Sequence, residues 1–268
     1  GSEGYSRGVL DFSGGKGRWF WDAGVEGLYD GGFREFSTSW NRGASASVGG
    51  EFGPGSRSSL TFSGTVTEGS IQFPGPLLYE EFKDNPDQSN SNGEEVTEYT
   101  TGLVSSQWRG HHPWGASQVN ISLNFRQLDW ALGGLFAAND QTTATVSPRL
   151  RWGSATSFAM AGMDLVHDRL DFRDFLDSDR DIERALADLE RTTTGPWFFV
   201  QKAIREGLQL SGGLRYEEAR GEYRYTAYME NQLRPVLKTN RGEIPNPDYQ
   251  DPPDVDGERS FDRLVTRG

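Results

Sequence analysis

Three histidines and no cysteine set the limits of the chemistry this sequence can carry. Without a thiol there is no disulfide framework, no thiolate nucleophile and no Cys-based zinc site. His111 and His112 form an adjacent pair that could bind a metal, but no third ligand accompanies it. His167 stands close to Asp164 and Asp168, a grouping that could activate water if its members converged. That chemistry needs a second Asp pair on a facing segment, and none is identifiable. No catalytic constellation emerges, no cofactor or metal is implied, and the expected class is not an enzyme. Aromatic and arginine side chains are the better candidates. Phe33, Arg34, Tyr79, Arg126, Trp130, Tyr223 and Arg224 can stack on, and pair with, an anionic or aromatic small molecule. The plainer alternative for each is an interfacial aromatic or an internal ion pair.

The elements that position these residues are strands. In the stretch Thr193–Glu217, Leu208, Leu210, Gly212, Leu214 and Tyr216 alternate with Gln209, Ser211, Gly213, Arg215 and Glu217. This is the period-two signature of a sheet with one apolar and one polar side. Arg205, Glu206 and Gly207 close a hairpin there. The same alternation recurs at Trp19–Tyr29, Ala44–Phe52, Leu60–Val66, Val119–Arg126 and Thr143–Trp152. Tight turns are expected at Gly14–Gly17 and Gly53–Ser56, and a longer connection from about Asp30 to Arg42. A Pro-, Asn- and acid-rich loop follows the strand ending near Thr67. Pro148 interrupts its strand and predicts a bulge. Asp171–Arg191 reads as charged and helix-compatible, with Ile182, Leu186 and Leu189 on one face. From about Tyr225 onward, five prolines predict loop.

Short and long connections alternate along about ten strands. In an antiparallel meander this places short turns at one end and long loops at the other. That sorting is the anatomy of a transmembrane β-barrel. Trp108 and Trp152 fall beside short turns, and Tyr29, Phe33, Phe36, Trp130 and Tyr223 near long loops, as two interfacial girdles require. Composition agrees. Only 34% of the 268 residues are hydrophobic, low for a soluble domain, yet 12% are aromatic. A chain that meets water on its outer loops and in a wet interior has this balance. A formal charge of −12 without a basic face makes nucleic acid an unexpected partner. No apolar run approaches 18 residues, so no transmembrane helix is expected, and nothing resembles a signal peptide. Gly1 is not an initiator methionine, so a mature product, an engineered piece or a fragment is expected.

Four motifs resemble one family in its own order. The hairpin carrying Phe199, Val200 and Gln201 and then Gly213, Leu214, Arg215, Tyr216 and Glu217 is similar to a strand pair of TonB-dependent outer-membrane receptors. Asp30–Ser37, with Gly32-Phe33-Arg34, resembles that family's first outer loop. Phe73–Pro76 with Asn85–Gln88 resembles the next outer loop, and Ala161–Leu165 another barrel strand. The resemblance implies the amino-terminal part of a 22-stranded barrel without its plug domain. It also implies a bacterial outer-membrane location, lipid as a partner, and energy from the TonB complex acting through the missing plug. The implied ligand is a scarce small molecule such as a metal chelate (a ferric siderophore, cobalamin or similar). Two alternatives stay open: a complete small outer-membrane barrel, either a porin or an omptin-like protease, and a soluble β-sheet adhesion module.

Overall fold

Period-two alternation produces long strands, and consecutive strands pair antiparallel along almost the whole chain. The computed structural model describes residues 4–91, 93–176, 178–180, 183–227, 236–239, 242–245 and 254–267. The first five strands are β1 (Ser6–Lys16), β2 (Trp19–Asp30), β3 (Ser39–Phe52), β4 (Ser58–Gln72) and β5 (Val96–His112). Next come β6 (Gly115–Leu132), β7 (Leu135–Gly153), β8 (Phe158–Phe175), β9 (Glu183–Arg205) and β10 (Leu208–Ala227). A small hairpin, β11 (Val236–Thr239) and β12 (Gly242–Pro245), precedes β13 (Asp254–Arg267). An α-helix, α1 (Tyr79–Asp84), lies in the connection between β4 and β5, and a short 3-10 turn (Pro54–Ser56) joins β3 to β4. Strands β1 to β10 form one sheet in chain order, and β13 adds to β10 as the eleventh strand. This is an antiparallel, up-and-down all-β wall.

Several expectations are corrected. Ile182 lies outside the described residues, but the rest of the stretch expected to be helical includes the end of β8 and the start of β9, paired from Asp174–Ala185 through Asp168–Arg191. Its helical spacing was coincidental: Leu170, Phe172, Ala187 and Leu189 also satisfy period two, and cross-strand pairing selects that reading. The stretch beyond Tyr225, expected to be loop, contains β13, which pairs with β10 from Gly213–Arg267 to Thr226–Asp254. Pro245 is the last residue of β12, and Pro235, Pro247, Pro252 and Pro253 lie outside the described residues. At Pro148 there is no bulge. Strands β7 and β8 pair at Val146–Leu165 and again at Arg149–Gly162 in the same register. Proline lacks a donor, so the ladder skips rungs there without gaining a residue. The first turn is Gly17–Arg18, because Gly14 and Gly15 stay in β1 opposite Trp21 and Phe20. The connection after β2 is only residues 31–38. Loop sorting also has an exception: β6 and β7 are joined at the long-loop end by Gly133 and Gly134 alone, both at positive φ.

The two faces of the wall differ sharply. Leu60, Phe62 and Val66 share one face with Val104 and Trp108, with Val119, Ile121, Leu123 and Phe125, and with Val146, Leu150 and Trp152. Ser63, Thr65, Ser105, Asn120, Ser122, Asn124, Thr143 and Thr145 share the other. Among the described residues no second layer covers the apolar face. Among the described residues no large side chain is fully buried, and Trp19, Phe62, Val104 and Leu210 are all exposed.

The apolar band is inclined to the rows of paired residues. Val66, near its upper limit on β4, lies in register with Gly102, Phe125, Thr142, Arg169, Glu190 and finally Glu222 on β10. On β10 the apolar run ends at Tyr216, six residues lower, after six strand-to-strand steps. A slip of about one residue (~3.4 Å) per strand spacing of ~4.8 Å corresponds to a strand tilt of about 35°. Barrel walls have that tilt.

Candidate functional site

Two clasps join the segments that carry the recognisable motifs. In the first, the Arg34 guanidinium donates to the carbonyls of Gln88 at 3.0 Å, Gly75 at 3.0 Å and Pro74 at 3.4 Å. The Glu35 backbone N–H adds a bond to the Asp87 carbonyl at 2.8 Å. The loop after β2 is thereby tied to the loop after β4. In the second, Arg215 on β10 donates to Asp164 on β8 at 2.8 Å, over β9, and to Glu217 at 3.2 Å. Asp164 also accepts from Ser147 at 2.8 Å. Glycine makes the crossing possible, since a Cβ on Gly195 would lie 2.8 Å from the Arg215 guanidinium. A similar crossing brings Trp197 across Gly162 to stack beneath Arg149, 5.9 Å from the ring centroid.

Polarity inverts toward the long-loop end. Beyond the apolar band, the formerly apolar face carries Glu68, Glu98, Asp129, Arg169, Asp171 and Glu190. The formerly polar face now carries Tyr99, Leu128, Phe172 and Tyr225, in one row of register with Asn139 and Ala187. One row below lie Thr101, Arg126, Gln141, Leu170, Leu189 and Tyr223. Arg126 lines a recess of about 330 Å³ with Thr65, Thr101, Asn124, Gln141 and Thr143.

The candidate ligand residues therefore separate. Arg126, Trp130 and Tyr223 share the polar face, with Arg126 and Tyr223 in one row. Arg224, one residue on from Tyr223, points to the opposite face. Arg34 is committed to the loop clasp. Phe33 and Tyr79 stand on the loops, 67% and 70% exposed, with Lys83 over the Tyr79 ring at 4.4 Å. Tyr99, Leu128, Leu170 and Phe172 were not anticipated. Their signal is the reversal of the period-two phase partway along each strand.

The Asp/His grouping does not converge. Asp164 and Asp168 share one face of β8, while His167 faces the other way, near Thr192 at 3.1 Å and Glu190 at 3.6 Å. Asp168 is taken up by Arg191 at 2.6 Å and Thr143 at 2.8 Å. His111 and His112 likewise diverge, with His112 stacked on Trp114 at 4.6 Å and bonded to Ser117 at 2.7 Å. Among the described residues no group of three side chains is placed to hold a metal ion.

No protein-family model matches the chain, and no curated protein matches it. Solved structures do. The ferric yersiniabactin uptake receptor FyuA from Yersinia pestis superimposes with a TM-score of 0.71 at 12% identity, over 98% of this chain and 41% of the receptor. The ferric-catecholate import receptor Fiu from E. coli K12, in its open form, gives 0.66 at 14% identity, over 97% and 49%. The ferric citrate transporter FecA in its unliganded form gives 0.59 at 10%, over 84% and 39%. The chain spans about half or less of the length of these proteins. Its likeness to them is one of fold: an antiparallel wall built as theirs are.

Proposed function

We propose that this chain is part of the barrel wall of a bacterial outer-membrane receptor that imports a scarce small molecule, such as a metal chelate. The apolar band carries the reading. Among the described residues no layer covers it, and it descends at the tilt of a barrel strand. The nine residues from Ala144 to Trp152 rise about 27 Å along β7 and about 22 Å along the normal at that tilt, close to the ~25 Å apolar band of an outer-membrane barrel. Lipid is the natural partner of this face, and the Ser/Thr/Asn-rich face becomes the lumen wall. Residues beyond the band extend into the outer medium. The fold likeness to three ferric-chelate receptors and the four family-like motifs support import over simple diffusion, with TonB supplying energy through a plug domain. An outer-membrane protease reading loses its support, because His167 faces away from both aspartates.

Insertion is tested by folding the protein into lipid vesicles. Heat-modifiable migration and protease protection of β6 and β7 are expected, whereas folding in plain buffer without either property would sink the membrane reading. Import is tested by uptake of radiolabelled iron chelates in cells carrying the intact receptor. Uptake that survives loss of TonB would exclude the energised mechanism.

A further inference from the structure

From the polarity inversion, and resting on the receptor reading above, we infer a ligand subsite on the lumen wall at the level of the outer rim. It takes a small oxyanion-bearing molecule with a flat apolar body. Arg126 is the anion-binding group. Two arginines of the same face are already neutralised: Arg191 by Asp168, and Arg215 by Asp164 and Glu217. The Arg126 guanidinium has no hydrogen-bond or ion-pair partner among the described residues. Its recess supplies hydroxyl and amide groups from Thr101, Asn124, Gln141 and Thr143, but no carboxylate. Asp168, in register with Thr143, is held by Arg191. An open guanidinium among neutral hydrogen-bonding groups favours a carboxylate or similar oxyanion, which it can bind through two parallel N–H donors.

The apolar half of the subsite lies immediately outward. Leu128 and Trp130 follow Arg126 at alternate positions on the same face of β6, and Tyr99 lies beside Leu128 on β5. Along the row of Arg126 itself, the wall becomes apolar at Leu170, two strands away. A flat body resting on Tyr99, Leu128 and Trp130 directs an attached anion down onto Arg126. Neutral glycans and cations lack one or both halves of this match.

The test uses the protein in lipid nanodiscs, with empty nanodiscs as the blank and 2-naphthoate, 2-naphthamide and acetate as probes. Naphthoate is expected to bind, naphthamide at least about tenfold more weakly, and acetate not measurably, as loss of a charge-assisted contact requires. Arg126→Gln should weaken naphthoate at least about tenfold and naphthamide by much less, since the amide loses only a neutral contact. Arg126→Lys should fall between wild type and Gln, and Trp130→Ala should weaken both aryl probes. The subsite is overturned if naphthoate does not bind above the blank, if the amide binds as tightly as the acid, or if Arg126→Gln binds naphthoate like wild type. In those cases a protein that still inserts leaves the receptor reading standing. Failure to insert counts against the receptor reading itself.

Discussion

Arg215 on β10 bonds to Asp164 on β8 at 2.8 Å by passing over Gly195, the residue of β9 that separates them. A direct neighbour pair would span one strand spacing, whereas this contact spans two, so it staples three strands at once. Gly195→Val is expected to eject the guanidinium and to cost about as much stability as Arg215→Gln. Both groups retain some exposure, so a loss of about 1–2 kcal/mol is expected. Unfolding midpoints of Asp164→Asn, Arg215→Gln and the double variant measure the coupling. Additive losses would show that the pair contributes nothing.

Arg34 holds two loops through three carbonyls on the second one. Arg34→Ala is expected to accelerate proteolytic cleavage between residues 73 and 95 several-fold, while global unfolding moves by less than about 1 kcal/mol, since loop contacts sit at the low end of local stability. Arg34→Lys should rescue little, because an ammonium cannot serve three carbonyls in the geometry of the guanidinium fork. Cleavage rates equal to wild type would remove the clasp from the account.

Ile121 and Ser122 are consecutive residues of β6 that face opposite sides of the wall. Ile121→Arg is expected to destabilise the vesicle-inserted protein by about 2–4 kcal/mol, the cost of an arginine facing mid-bilayer lipid. Ser122→Arg, on the lumen side, should cost far less. Reversal of that order in folding titrations would invert the assignment of the two faces.

Asp171 and Asp188 are direct cross-strand partners beyond the apolar band. The hydrogen bond with Asp171, burial and the neighbouring negative charge hold the Asp188 carboxyl above the usual carboxylate range, against Arg224 and Arg169. The folded protein thus retains this proton to higher pH than the unfolded chain. The associated stability is present below the ordinary carboxylate value near 4 and is lost as pH rises through the folded value. Asp188→Asn should flatten that decline in a series of unfolding midpoints. An unchanged slope would argue against a shared proton.

Much of the wall was readable one residue at a time. Strand identity, the two faces and most tight turns follow from period-two alternation, which is local. The end of β8 and the start of β9 were misread because Leu186 and Leu189 fit one face of a helix while Ala187 and Leu189 fit one face of a strand, and only pairing with β8 decides between them. β13 was missed for a related reason. Its flanking prolines are visible in sequence, whereas the open edge of β10 that recruits it is not.

Residue types by themselves determined that this chain lacks thiol chemistry, forms amphipathic strands and offers arginine and aromatic groups for binding. Tertiary structure alone decided which of those groups meet. Register set Arg126 beside Thr101 and Gln141, sent Arg224 to the opposite face, parted His167 from Asp164 and carried Arg215 across Gly195. The physical reason is that a strand fixes only to which side a residue points. Its neighbours on that side come from other strands, through a register set by many backbone hydrogen bonds acting together.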